Sequence, residues 1–406
     1  MIGNVIVGQS GGPTAAINSS LAGVFDGAKK LGCRCVYGML NGIEGLLNER
    51  YVDMSKYLCS ETDIELLKRT PSSYLGSCRY KLPSYEKDEE VYKKIFQILN
   101  KLDVKHFFYI GGNDSMDTVK KLSQYAAIIK SDITFIGVPK TIDNDLAFTD
   151  HTPGYGSAAK YIASSMKEII LDSSVYTLDA VTIVEIMGRN AGWLTAASAL
   201  SKTSDCNGPD LIYLPETPFN YEKFLNDIME VKKRKPSVIV ALSEGVRDEN
   251  GTPMGEAQNA AIDAFGHKML GNVALTLSDM VVRDAKIKAR GIILSTLQRC
   301  ASHIASKNDI NEAYDAGFMA LVAASKGETG KMAIFKRLSD EPYEITVEMC
   351  NINDIANVER LVPTEWITDN GTNVSNEFMI YARPLIMGEM TPIMEDGLPK
   401  HIKSLA

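Results

Sequence analysis

The sequence predicts an α/β fold with mostly parallel sheets, arranged as two Rossmann-like lobes. Strand-like β-branched runs alternate along the chain with amphipathic helical stretches. Two of those runs end directly in glycine pairs that open helices, at Gly11-Gly12 and Gly111-Gly112. A length of 406 residues, 45% of them hydrophobic, gives two domains at roughly 100–200 residues apiece, each with its own core.

The first strand is expected at 3–8. No basic residue precedes its apolar stretch, so it reads as a strand and not as a secretory leader. A helix is expected to begin at Gly11-Gly12-Pro13-Thr14, with the proline near its first turn and unpaired N–H groups aimed outward. Val91, Ile95, Ile98 and Leu102 recur at helical spacing before a strand at 105–110. Met116, Val119, Leu122, Ala126 and Ile129 do the same before a strand at 133–138, so both stripes are core faces. Thr152-Pro-Gly-Tyr-Gly-Ser157 carries strong turn signals and marks a boundary between lobes. Further strands are expected at 181–186, 237–242 and 291–294. Lys232-Lys-Arg-Lys235, ahead of Pro236, reads as a solvated helix C-terminus.

Charge and cysteine usage exclude several classes. A net charge of −8 argues against nucleic-acid or anionic-membrane partners but leaves room for a local cationic pocket. No apolar run approaches the ~18–20 residues that span a bilayer. The seven cysteines (33, 35, 59, 78, 206, 300 and 350) are scattered and form no CxxC pair. They suit free thiols in a reducing compartment, and the expected location is cytoplasmic.

The segment most suggestive of chemistry is Val138-Pro139-Lys140-Thr141-Ile142-Asp143-Asn144-Asp145, directly after a strand. Carboxylates at i and i+2 of an extended turn can face different partners, one a substrate hydroxyl and the other a metal. Phosphoryl transfer needs both, together with fixed positive charge such as Lys140. A surface Asx-turn would produce the same residues. The two glycine turns favour the chemical reading, because they gather helix N-termini where phosphates bind.

At this point the chain resembles the phosphofructokinase family. The residues that carry the likeness are Gly-Gly-Pro-Thr (11–14), Leu-Gly-Ser-x-Arg (75–79), Gly-Gly-Asn-Asp-Ser (111–115) and Pro-Lys-Thr-Ile-Asp-Asn-Asp (139–145). The series continues through Thr-Pro-Gly-Tyr-Gly-Ser (152–157), Val-Glu-Ile-Met-Gly-Arg (184–189), Ser-Glu-Gly (243–245) and Leu-Gln-Arg (297–299), in family order over roughly 1–330. The tail, with Val-Pro-Thr-Glu-Trp-Ile (362–367) and Tyr-Ala-Arg-Pro-Leu-Ile-Met-Gly-Glu (381–389), is similar to that of bacterial pyrophosphate-dependent members.

The resemblance implies an organisation and a set of roles. Residues 1–154 would form a lobe with the phosphoryl-donor site. Residues 155–330 would form a second lobe with the sugar-phosphate site, partly interwoven with the first, and 331–406 an extension packing on both. The active site would lie in the cleft between the lobes. Asp143 is implied as the general base toward the 1-hydroxyl of fructose 6-phosphate, with Lys140, Thr141 and Arg189 assisting. Thr141, Asp143, Met187, Gly188, Arg189, Glu244 and Arg299 would contact the sugar phosphate, and Arg290 would reach it from a neighbouring subunit. Guanidinium groups suit that work because they meet phosphate oxygens in bidentate fashion. Gly11, Gly12, Arg79, Gly112, Asn113, Asp114, Ser115 and Lys140 would hold pyrophosphate, and Mg²⁺ would fall to Asn113 and Asp145. A homodimer or homotetramer is implied.

Donor choice rests on Asp114 and Lys140, where ATP-using members carry glycine. A carboxylate at 114 fills and repels the space of a nucleotide's α-phosphate, while an ammonium at 140 grips a bare diphosphate. By resemblance the reaction runs in both directions. Three positions depart from the family pattern: Asn113 for an aspartate, Ala180 for an arginine, and Thr296 for a histidine or tyrosine near the 6-phosphate. Lys286 and Lys288 are read as solvated surface charge. The rival readings are an ATP-dependent enzyme of the same family and a non-catalytic regulatory subunit, the latter opposed by Asp143, Asp145 and Arg189 all being present. A dinucleotide-binding dehydrogenase is poor, since neither glycine turn spells GxGxxG.

Overall fold

The computed structural model describes residues 3–175, 177–255, 272–356 and 358–406. Its first sheet has seven strands, in the order Tyr343–Asn351, Lys331–Asp340, Thr134–Pro139, Val104–Gly111, Asn4–Gln9, Val36–Met39 and Tyr51–Asp53. The central strands run parallel, and both edges are closed by antiparallel neighbours. The second sheet is wholly parallel: Leu211–Tyr213, Ser237–Ser243, Ala180–Ile186 and Lys288–Ile293. Strands buried on both faces read as continuous apolar runs, so the sequence places most of them to within a residue or two. The last begins at Lys288, earlier than expected, because exposed Lys288 and Arg290 interrupt the apolar pattern.

Three further differences have physical causes. The first helix begins at Ile17, not at the glycine pair, because the Thr14 hydroxyl accepts from the N–H groups of Ala16 and Ile17 and caps it there. Pro13 therefore lies before the helix. Residues 331–351 are a hairpin that extends the first sheet, pairing through Lys331 and Met332 with Thr134–Pro139. Helix Lys307–Ser325 packs along Ile17–Lys30 of the first lobe. A Cβ on Gly23 would stand 2.0 Å from the Tyr314 carbonyl oxygen, and one on Gly317 would stand 2.1 Å from that of Ser20. Glycine at both crossing points lets the backbones touch.

Later residues knit the lobes together. Phe378, Tyr381 and Leu385 join the core under Trp193 and helix Tyr155–Ser174, while Ile402 and Leu405 pack on the first-lobe core beside Tyr74. No helix among the described residues is long and apolar enough to cross a membrane.

A buried polar network ties the hairpin to the loop after Asp145. His151 lies between Asp150 and Glu312, 2.8 Å from each, with its ring stacked on Phe335. Arg337 pairs with Asp150, and the Tyr343 hydroxyl donates to Glu312. Burial alone would lower the His151 pKa, but the Glu312 and Asp150 carboxylates outweigh it and raise it to about 9. A raised folded-state pKa means stability that is complete below the unfolded value of about 6.5 and is lost as pH climbs through about 9. The urea midpoint is expected to fall between pH 6.5 and 9.5 in the native chain. In His151→Gln it should start lower and be flatter over that interval. Equal slopes for the two proteins would remove His151 as the source.

Candidate active site

The carboxyl ends of five parallel strands, three from the first sheet and two from the second, open onto one cleft of about 350 Å³. In open α/β sheets this is where ligands bind. Each wall segment follows its strand directly: Ser10–Gly12 after Gln9, Asn113–Ser115 after Gly111, and the turn 140–145 after Pro139. Opposite them stand Met187–Ala191 after Ile186, and Glu244 after Ser243. Arg79 and Arg299 complete the lining predicted from sequence.

The turn after Pro139 is held by its own side chains. Asp143 N–H donates to the Thr141 hydroxyl at 3.1 Å, and that hydroxyl donates to Asp143 Oδ2 at 3.2 Å. Asn144 is fully buried in the left-handed region at φ 55°, its amide donating to the Tyr381 hydroxyl and its oxygen accepting from Thr152 N–H. Asparagine tolerates that conformation, and it turns Asp143 and Asp145 toward the cleft while Ile142 and Leu146 enter the core. Burial pushes the Asp143 carboxyl above the usual range, against the pull of Thr141, Lys140 and Arg189. Burial, and then the neighbouring Asp143, raise Asp145 to about 7.

Lys140 is 3% exposed, with Nζ 2.8 Å from the carbonyl oxygen of Gly12. Its pKa falls to about 8, mainly through burial, with Arg299 and Arg79 adding to the effect and Asp143 and Asp145 opposing it. Two of these cations meet at the glycine turn, with Arg79 on the same lining. A Cβ on Gly12 would come within 3.4 Å of Arg299 Nη1, and one on Gly11 within 3.1 Å of Lys140 Nζ. Arg299 thus stands beside the glycine turn expected to hold the donor, whereas the family resemblance assigns it to the sugar phosphate. Asp114 lies exposed in the first turn of helix Asn113–Ile128, and Gly112 is that helix's N-cap.

The opposing loop needs glycine at 188. Its φ is +135°, and a Cβ there would stand 2.6 Å from the Ala191 carbonyl oxygen. Gln298 Oε1 accepts from Met187 N–H at 3.2 Å, and the Ser243 hydroxyl donates to the Gly188 carbonyl at 2.6 Å. The Glu244 carboxylate accepts from Gly188 N–H and is raised to about 7, chiefly by burial. A second hollow of about 190 Å³ adjoins it, sharing Met187 and Glu244.

Three positions named from the sequence stand away from this cleft, Arg290 among them as a residue expected to serve a neighbouring subunit. Arg290 lies outside the cleft, exposed on the far side of strand Lys288–Ile293, where it lines a groove with Tyr161 and Leu297. Ala180 opens its strand at the end away from the cleft, and Thr296 is exposed and absent from the lining. Conversely, sequence reasoning missed Ser10, Asn190 and Glu359, all of which line the cleft. Ser10 and Asn190 adjoin predicted residues and could have been found by extending the motifs. Glu359 arrives from a distant segment without a motif signal.

Oxygen donors from Asp145 and the Asn113 side chain suit Mg²⁺. Among the described residues no three His, Cys, Asp or Glu side chains gather closely enough to hold an ion alone.

Comparison with known proteins agrees with this geometry. The phosphofructokinase family model matches residues 4–324. The pyrophosphate–fructose 6-phosphate 1-phosphotransferase of Halomonas elongata is 41% identical over 98% of this chain and 96% of its own length. Its counterpart in Xanthomonas campestris pv. campestris is 40% identical over the same shares. The solved pyrophosphate-dependent phosphofructokinase of Nitrosospira multiformis superimposes with a TM-score of 0.90 at 37% identity, covering 98% of this chain and 96% of that one. With the motifs at the strand ends, the cationic glycine turn and full-length likeness all in agreement, the chain belongs to the phosphofructokinase family.

Proposed function

We propose that the protein transfers a phosphoryl group from pyrophosphate to the 1-hydroxyl of fructose 6-phosphate, giving fructose 1,6-bisphosphate and phosphate. The observation that carries the donor assignment is Lys140, buried at the cleft floor between Arg79 and Arg299, with Asp114 on the same wall. That wall holds concentrated positive charge for a small polyanionic donor and a carboxylate where a longer chain of phosphates would continue.

Fructose 6-phosphate lies along Met187–Arg189 and Glu244, its sugar hydroxyls donating to the Glu244 carboxylate. Asp143 takes the proton of the 1-hydroxyl as that oxygen attacks the near phosphorus of pyrophosphate. The bond to the bridging oxygen breaks, and inorganic phosphate departs with that oxygen. Lys140 and Arg79 hold the departing charge, and Arg189 faces the transferring group, where fixed positive charge is most effective. Asp145 and Asn113 would hold Mg²⁺, which when bound neutralises donor oxygens. In reverse, the protonated Asp143 returns its proton to the sugar oxygen. Exposed Arg290 fits a role toward a neighbouring copy, in a homodimer or homotetramer.

A coupled assay on the purified chain, with fructose 6-phosphate and either donor, tests the proposal. Turnover is expected with pyrophosphate, and ATP should support at most about a hundredth of its kcat/KM, a difference of ~3 kcal/mol. Turnover with ATP and none with pyrophosphate would overturn it.

A further inference from the structure

The segment 358–362 crosses the mouth of the cleft and bonds to both walls. On the donor side, the Val358 carbonyl accepts from Asn113 Nδ2 at 3.2 Å, and Arg360 N–H donates to the Asp145 carbonyl at 2.8 Å. Opposite, the Glu359 carboxylate accepts from Asn190 Nδ2 at 3.1 and 3.4 Å, and the Arg360 carbonyl accepts from Trp193 Nε1 at 2.9 Å. The Arg360 guanidinium lies 4.4 Å from the Trp193 ring and donates to the Thr149 carbonyl, so the strap itself is firmly seated.

Arg189 is bracketed by this arrangement. On one side of it, Met187 and Gly188 are fixed by Gln298 and Ser243. On the other, the Asn190 side chain has Glu359 and, more weakly, Arg247 at 3.3 Å. Glu359 is a third carboxylate on the cleft lining beside Asp143 and Asp145, where its charge repels phosphate. A group with that cost in the mouth of a phosphate site calls for a compensating role. The bond to Asn190 supplies one.

We infer that Glu359 is a positioning residue for phosphoryl transfer: through Asn190 it fixes the outer side of the loop that presents Arg189 to the reacting group. The inference rests on the proposed reaction, since it assigns Arg189 a place opposite the transferring phosphoryl.

A double-mutant cycle tests it. Glu359→Ala and Asn190→Ala should each lower kcat about tenfold, the range expected for one charge-assisted hydrogen bond, with KM for both substrates changed by less than about threefold. The double variant should be no slower than the slower single one, because both remove the same link. Glu359→Gln keeps an acceptor for Asn190 and should recover most of the rate. The thermal midpoints should stay together, since both side chains are exposed at the rim. Additive losses, a Gln variant as slow as Ala, or a wild-type rate in Glu359→Ala would each overturn the inference. If Glu359→Ala does not fold, Asn190→Ala with Glu359→Gln carries the same test. Each protein is assayed with pyrophosphate and with ATP. Activity with ATP alone would defeat the donor assignment yet leave the cycle readable, whereas wild-type chain inert with both would defeat the inference too.

Discussion

Asp143→Ala is expected to lower kcat by about a thousandfold or more, with KM for fructose 6-phosphate and pyrophosphate held within about threefold. A general base acts as the proton moves, so its removal is felt in the transition state and little in the ground-state complex. Asp143 bonds within its own turn through Thr141, and on the proposed reading most of the substrate contacts come from other residues of the cleft, Met187, Gly188 and Glu244 toward the sugar and Lys140 and Arg79 toward the donor. Asp143→Asn preserves shape and the contact with Thr141 but cannot take a proton, so it should be as slow as alanine. Near-normal turnover in either variant would move the role to another cleft carboxylate, Glu244 or Asp145. Because burial raises the Asp143 pKa, the wild-type kcat/KM profile should fall on acidification earlier than an ordinary aspartate would dictate, and the Asn variant should lose that limb.

The same turn shows why much of the site was legible in the sequence. Lys140, Thr141, Asp143 and Asp145 all follow within six residues of a buried strand, so local chain geometry places them together without long-range information. The glycine pairs are equally local, each lying at the end of a strand whose apolar run is visible in the sequence. What brings these local pieces to one cleft is the parallel topology, which points the carboxyl ends of the strands at a common space. Glu359 had no such signal. In sequence it sits among residues of mixed character, and it reaches the cleft only because its backbone pairs with Leu146 while Val358 meets Asn113, 245 positions away. The hairpin of residues 331–351 was legible but passed over: its outer strand alternates as Tyr-Glu-Ile-Thr-Val-Glu-Met, a half-exposed edge whose Glu344 and Glu348 guard against association. The misplaced helix start shows the limit of a motif: Gly-Gly-Pro-Thr invites a helix at Pro13, but the capping hydroxyl of Thr14 sets the first turn at Ile17.

Replacing Asp114 and Lys140 together with glycine should change donor preference by a factor of thousands. On the proposed reading Asp114 repels a nucleotide while Lys140 holds pyrophosphate, so their effects on the ratio multiply. Like charges about 4 Å apart repel by ~4 kcal/mol at an effective dielectric of ~20 and by ~1 kcal/mol in bulk water. Asp114 is exposed at the start of its helix, so the cost it imposes on a nucleotide lies between those limits. A value of ~2 kcal/mol corresponds to about a thirtyfold gain in kcat/KM for ATP when the carboxylate is removed. Lys140 is the larger contributor, because it is buried and charge-assisted contacts made away from solvent are stronger. Its loss should lower kcat/KM for pyrophosphate by at least about a hundredfold, since the donor has no adenosine with which to make up the binding. The single variants separate the two effects. Asp114→Gly should mainly admit ATP, and Lys140→Gly should mainly forfeit pyrophosphate. If the double variant keeps the donor preference of the native chain, selectivity resides in some other part of the wall, and Lys140, Arg79 and Arg299 on the cleft lining would then serve the transferred phosphoryl group in common for either donor.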